Sequence, residues 1–397
     1  MPAVCLYLQA HQPYRLRHFS VFDIGNSQYY FDDERNLGFL DRIVRKCYLP
    51  ANLALLRLIK QYQGKFKAAF SITGVLLEQL ERSFPEVLQS FKDLAATGCV
   101  EFLSETYYHS LSSLSSNKDE FIIQIQMHQQ KIKKLFGCMP RVFRNTELVF
   151  SNEIAEIAAQ LGCSGILAEG ADFILGWRSP NFVYQAGRGN KIKLLLRNYK
   201  LSDDIAFRFS TREWSEWPLT APKFASWIHK SRGDIVNLFM DYETFGEHQW
   251  DETGIFHFLE ALPGEILQYQ NNHFQTPGDV IKLYPAVGEL DFSRIVTWAD
   301  TERDISAWLG NEMQKAAFEN LYSLEERILE LGDPALIGDW RKLQTSDHFY
   351  YMCTKWFADG DVHKYFNPYE SPYDAFIIFM NILKDLKIRT KGRILSN

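Results

Sequence analysis

Carboxylates and histidines recur in this chain directly after short apolar runs. His11-Gln12-Pro13-Tyr14 follows AVCLYL, and Glu101, Glu105 and His109 lie in VEFLSETYYHS. Glu147 lies in FRNTELVF, and Asp241 and Glu243 lie in MDYETFGEHQW. Any one of them alone reads as a cap or an ion pair. Together they point to one site, because clustered carboxylates are costly to desolvate unless paired or used. Two carboxylates facing a scissile bond are the minimum apparatus of glycoside hydrolysis. One is ionised to attack or stabilise C1, and the other stays protonated to release the leaving oxygen. Glu147 and Asp241 are so far apart in sequence that only a closed fold can join them. Asp241 and Glu243, two positions apart, share a face if their strand continues, which leaves the acid open between them.

The elements that must position these residues alternate in type. Buried-strand patterns fall at 3–8, 67–72, 100–103, 142–143, 165–168, 192–196 and 235–240. Helical patterns lie between them at 49–61, 75–95, 118–136, 152–161 and 221–230. Such alternation argues for parallel β/α units, and seven or eight of them close into a barrel. The C-terminal ends of barrel strands converge on the active site, which is where the polar segments fall. After about residue 290 the texture becomes helical. One long helix is expected over 301–331, ending at Gly332-Asp333-Pro334, with two more over 334–356 and 373–386. The expected organisation is a catalytic β/α barrel over 1–290 and a helical domain over 291–397 that contributes to the cleft.

Composition removes other classes. The chain has 397 residues, 46% of them hydrophobic, which is an ordinary globular balance. With 43 Lys+Arg against 49 Asp+Glu it lacks the basic surface that neutralising phosphates needs, so a nucleic-acid partner is not expected. The apolar start is too short for a signal segment, and no run approaches the ~20 residues that span a bilayer. These features imply a soluble, cytoplasmic protein without a membrane partner. Cysteines 5, 47, 99, 138, 163 and 353 include no C-x-x-C pair. Dinucleotide, P-loop, nucleophile-elbow and zinc-protease motifs are absent, so neither cofactor nor metal is expected.

HQPYRL at 11–16, VEFLSETYYHSL at 100–111, FRNTELVF at 143–150, MDYETFGEHQW at 240–250 and TSDHFYYM at 345–352 resemble the five motif regions of glycoside hydrolase family 57. The wording is nearest to its α-amylase group. The resemblance implies a distorted (β/α)7-type barrel followed by a C-terminal helical bundle, acting on α-glucans with retention. It makes Glu147 the nucleophile and Asp241, rather than Glu243, the acid/base. It also implies sugar-binding roles for His11, Glu101, Glu243, His248, Trp250, Asp347 and His348. The expected partner is an α-glucan polysaccharide or oligosaccharide.

Three competitors remain. A 4-α-glucanotransferase would use the same site, with a sugar hydroxyl in place of water. A metal-dependent polysaccharide deacetylase would need a His/Asp ligand set, and no paired-histidine spacing supports one. A non-catalytic glycan-binding protein would have no need of both carboxylates. Aromatic residues make up 15% of the chain. Among them Trp177, Trp214, Trp217, Trp227 and the pairs Tyr107-Tyr108 and Tyr350-Tyr351 divide between sugar stacking and packing.

Overall fold

The computed structural model describes residues 2–187, 189, 191–355 and 367–392. Seven strands form the ring: β1 (Ala3–Ala10), β2 (Ala68–Ile72), β3 (Val100–Phe102), β4 (Val142–Phe143), β5 (Gly165–Glu169), β6 (Lys193–Arg197) and β7 (Ile235–Asp241). β1 pairs in parallel with both β2 and β7, and β2 pairs with β3. A single bridge, Ser104 to Phe143, carries the ring to β4, which pairs with β5, which pairs with β6. The ring is distorted where β6 would meet β7. The short strand Tyr184–Ala186 runs antiparallel along that edge of β6, displacing the regular ladder. Asn237 spans the gap: its Nδ2 donates to Leu196 O at 2.8 Å, and its carbonyl accepts from Asn198 N at 2.9 Å.

Side-chain alternation divides two cores. Ala3, Cys5 and Tyr7 point into the barrel with Ala69, Leu103, Leu167, Leu195 and Phe239. Val4, Leu6 and Leu8 point outward to the surrounding helices. That period of two sets which polar residues can reach the mouth. Gln9 is level with Ser71 on one side and Asp241 on the other, so the interior turns polar in the uppermost layer.

Most helices form where the pattern places them, but two long ones are cut. The 75–95 pattern becomes Gly74–Ser83 and Pro85–Ala96, because Pro85 cannot donate within a continuous helix. The 301–331 pattern becomes Ser306–Leu309, Glu312–Tyr322 and Glu325–Leu331. Asn311 starts a new helix there through a capping box with Gln314, which no continuous helix would need. The 334–356 pattern gives Pro334–Lys342 and Ser346–Tyr350, and Trp356 lies outside the described residues. The last helix extends over Pro372–Gly392. Among the described residues, no helix is long and apolar enough to cross a membrane.

The C-terminal helices share an apolar core with the loop after β1, through Tyr14, Phe19, Tyr30 and Phe31. The segment before Ser346–Tyr350 is fixed to the barrel rim. Thr345 bridges Ser110, and Ser346 N donates to His109 O at 2.9 Å. That contact delivers Asp347 to the barrel mouth.

Candidate active site

A cavity of about 260 Å³ opens at the C-terminal end of the strands. His11, Glu147, Asp241, Glu243, His248 and Asp347 all line it. They come from the ends of β1, β4 and β7 and from the C-terminal helices, so no local segment could assemble the site.

Glu147 sits in a tight turn after β4, where both it and Leu148 adopt left-handed backbone, with φ of 55° and 49°. Such a backbone costs on the order of 1 kcal/mol or more for each non-glycine residue. The turn buries Leu148 in the barrel core and presents the Glu147 carboxylate to the cavity. Three donors hold that carboxylate. Trp298 Nε1 donates to Oε2 at 2.8 Å, Ser346 Oγ donates to Oε1 at 2.9 Å, and His109 Nε2 lies 3.2 Å from Oε1. Burial opposes its ionisation, but the hydrogen bond and charge of His109, with Arg144 and Trp298, outweigh burial and bring Glu147 down to about 2.

His109 is the reciprocal case. Burial works against its cation, yet the hydrogen bonds to Glu105 and Glu147 push it up to about 9. Its ring stacks on His11, centroids 4.0 Å apart. His11 bonds Asp347 Oδ2 through Nε2 and Thr73 Oγ1 through Nδ1, each at 2.9 Å. Burial and the neighbouring His109 keep His11 below its ordinary value. Asp347 is held well below the carboxylate range: burial opposes this, but the charge and hydrogen bond of His11 prevail.

Asp241 behaves oppositely to Glu147. Burial, then the charge of Glu147, raise it to about 6. Glu243 is raised further, to about 8, by burial and then by Asp241. Tyr48 OH donates to its Oε1, and Gln12 Nε2 lies 3.5 Å from the same atom. Burial lowers His248 to about 4, so a neutral imidazole faces the cavity at pH 7.

Three expected site residues lie elsewhere. Glu101 points into the barrel, but level with Ala69 and Tyr7, one inward layer below Gln9, and it does not line the cavity. Its Oε2 accepts from Gly278 N at 2.6 Å, tying β3 to the helix Pro277–Leu283. Glu105, four residues or about 13 Å further along, takes the upper position. It is fully buried and accepts from Ser71 Oγ at 2.6 Å. His348 turns away from the cavity and packs against Phe379. Trp250 is half-exposed beside Lys46, across the loop from the cavity. Glu101→Gln is therefore expected to change the melting temperature while leaving kcat and KM within about twofold. A tenfold rise in KM would return Glu101 to substrate binding.

Sequence reading missed Trp298, which lies between residue 290 and the helical pattern that begins at 301, with no motif around it. It also missed the wall where Arg197 bridges Glu169 and Asp203, with Arg303 beside both. Of the tyrosine pairs, Tyr350 and Tyr351 line the cavity, whereas Tyr107 and Tyr108 belong to the helical core. None of the four tryptophans between the third and fourth motifs lines it; Trp214 and Trp227 pack on the outer core.

The profile of glycosyl hydrolase family 57 matches residues 5–293. The chain belongs to glycoside hydrolase family 57. A Methanocaldococcus jannaschii protein described as a "putative alpha-amylase" is 45% identical over 395 residues, covering 96% of this chain and 84% of that one. The structure of an alpha-amylase from Thermotoga maritima superposes with a TM-score of 0.64 at 14% identity, over 99% of this chain and 94% of that one. A family 57 branching enzyme from Thermococcus kodakaraensis gives 0.65 at 14% identity, over 88% and 86%. The family 57 fold, a distorted barrel with a C-terminal helical region, is therefore common to enzymes with different named activities. The chain is an alpha-amylase-like member of this glycoside hydrolase family.

Proposed function

We propose that the chain is a retaining α-glucan hydrolase of α-amylase type, cleaving α-1,4-glucosidic bonds by double displacement. Glu147 is the nucleophile and Asp241 the acid/base. The observation that carries this reading is the opposite displacement of two carboxylates in one cavity: Glu147 down to about 2 and Asp241 up to about 6. At a pH between those values one is ionised and the other protonated, as the first step demands.

In that step a Glu147 oxygen forms a bond to C1 while the C1–oxygen bond to the leaving sugar breaks. Asp241 gives its proton to the departing oxygen. Glu147 is then an ester without charge, so one of the two influences holding Asp241 up disappears, and Asp241 is readied as a base. It takes a proton from water as the water oxygen attacks C1, and the Glu147 carboxylate leaves. Trp298, Ser346 and His109 keep that carboxylate ionised and oriented between turnovers. His11, Asp347, Glu243 and His248 supply hydrogen-bonding groups to the sugar held at C1.

Two consequences are measurable. The kcat/KM profile is expected to fall above pH about 6, as free Asp241 loses its proton. Maltoheptaose is expected to yield only shorter maltooligosaccharides, unchanged by a chelator. Products longer than the substrate would make the enzyme a glucanotransferase. Activity lost to chelation and restored by a divalent ion would favour the deacetylase reading. Binding without products would leave a glycan-binding protein.

A further inference from the structure

Arg144 lies three residues before Glu147, at the end of β4, and no step above uses it. Its side chain is fully buried, and none of its three guanidinium nitrogens has a hydrogen-bond partner among the described residues. A carboxylate oxygen of Glu105 stands 3.7 Å from Nη1, beyond hydrogen-bonding distance. The guanidinium lies 5.0 Å from the centroid of the Trp298 ring, and Arg197 lies 5.8 Å from the same ring. Trp298 thus has two cations over its ring while its N–H donates to Glu147. A buried cation without hydrogen bonds is destabilising in itself, so its retention asks for another cause.

We propose that Arg144 is a positioning residue: a cation at the cavity wall, hydrogen-bonded to none of its neighbours, that balances the charge of the Glu147 and Asp241 pair and seats the Trp298 ring against Glu147. The proposal rests on the roles given above to those two carboxylates.

The groups around it agree with that role. Glu105 and His109 face it from the loop after β3, with His128 behind Glu105, whose backbone N–H it accepts at 3.2 Å. Glu147 follows on its own turn, and Tyr7, Asp241 and Arg197 face it from β1, β7 and β6. The charge of Arg144 opposes the effect of burial on Glu105, Glu147 and Asp241 alike. A guanidinium whose N–H groups are committed to no single carboxylate acts on all three at once. One held in a bidentate pair would spend its field on that partner.

The test compares wild type, Arg144→Met and Arg144→Lys by ¹³C NMR titration of the Asp241 and Glu147 carboxyls, with kcat/KM profiles beside it. Removing the Arg144 charge is expected to shift both carboxyl titrations upward, and both limbs of the rate profile with them. Arg144→Lys is expected to bring the titrations back toward wild type. Because both carboxyls would then titrate higher, Arg144→Met is also expected to melt lower than wild type where they are ionised, with the difference shrinking as pH falls and they protonate. A lower melting temperature with unchanged titrations would overturn the proposal and make Arg144 a packing residue. Arg144→Gln takes the place of the Met variant if that variant does not fold. The NMR titration needs no substrate, so it separates two failures. Shifted titrations in a protein whose wild type cleaves no glucan would overturn the hydrolase reading alone.

Discussion

Glu147→Gln is expected to lower turnover on α-glucans by about 10⁴-fold or more, because an amide cannot form the glycosyl ester. Substrate binding should persist, since the shape of the side chain is kept. The replacement is not neutral to the fold, however. Trp298, Ser346 and His109 all approach Glu147, and an amide nitrogen would meet one of them donor to donor. Melting curves must therefore accompany the rates, and their pH dependence carries its own signature. The folded-state value of Glu147 is depressed from 4.5 to about 2, so its stabilisation is complete above 4.5 and lost as pH falls toward 2. His109 is raised from 6.5 to about 9, so its stabilisation is complete below 6.5 and lost as pH rises toward 9. The stability advantage of wild type over Glu147→Gln should thus peak between about pH 4.5 and 6.5 and shrink on both sides. In the variant, Asp241 should also titrate lower, freed of the neighbouring charge that helps to raise it. A variant that keeps more than a few per cent of wild-type activity would remove Glu147 from the nucleophile's role.

The sequence made the parity of barrel residues legible, but not their height. Alternation correctly turns Glu101 and Glu105 inward together. Which of them reaches the mouth depends on how far β3 is shifted against β2, a register set by distant pairing. Helix existence was legible from periodicity, whereas the break at Asn311 depends on a side chain choosing to cap rather than to continue. The positions of His348 and Trp250 were unreadable for a related reason. His348 follows Asp347 and Trp250 lies two residues after His248, both of which line the cavity, and a turn of backbone separates the two environments. Trp298 is the reverse case. Nothing in its local sequence marks it, and its contacts with Glu147 and Arg144 exist only once β4 and the segment after Leu290 are brought together.

Asp241→Asn is expected to nearly abolish hydrolysis of natural maltooligosaccharides while sparing the first step on an activated aryl maltoside. The reasoning follows the proton. A sugar alkoxide is a poor leaving group and needs the Asp241 proton, whereas an aryloxide leaves with little assistance. The variant should therefore give a burst of phenol and accumulate glycosyl-enzyme, since no base remains to activate water. Azide needs no such base and should restore turnover on the aryl substrate, releasing the glycosyl azide. Glu243 offers the internal control. It neighbours Asp241 in sequence and lines the same cavity, but its value of about 8 would leave it protonated through most of the working range. A carboxyl group that stays protonated near neutral pH cannot serve as the base of the second step. Tyr48 and Gln12 already engage its Oε1, which suits a group that binds a sugar hydroxyl. Glu243→Gln should accordingly raise KM, with neither leaving-group dependence nor azide rescue. If Glu243→Gln shows both effects and Asp241→Asn shows neither, the acid/base role passes from Asp241 to Glu243.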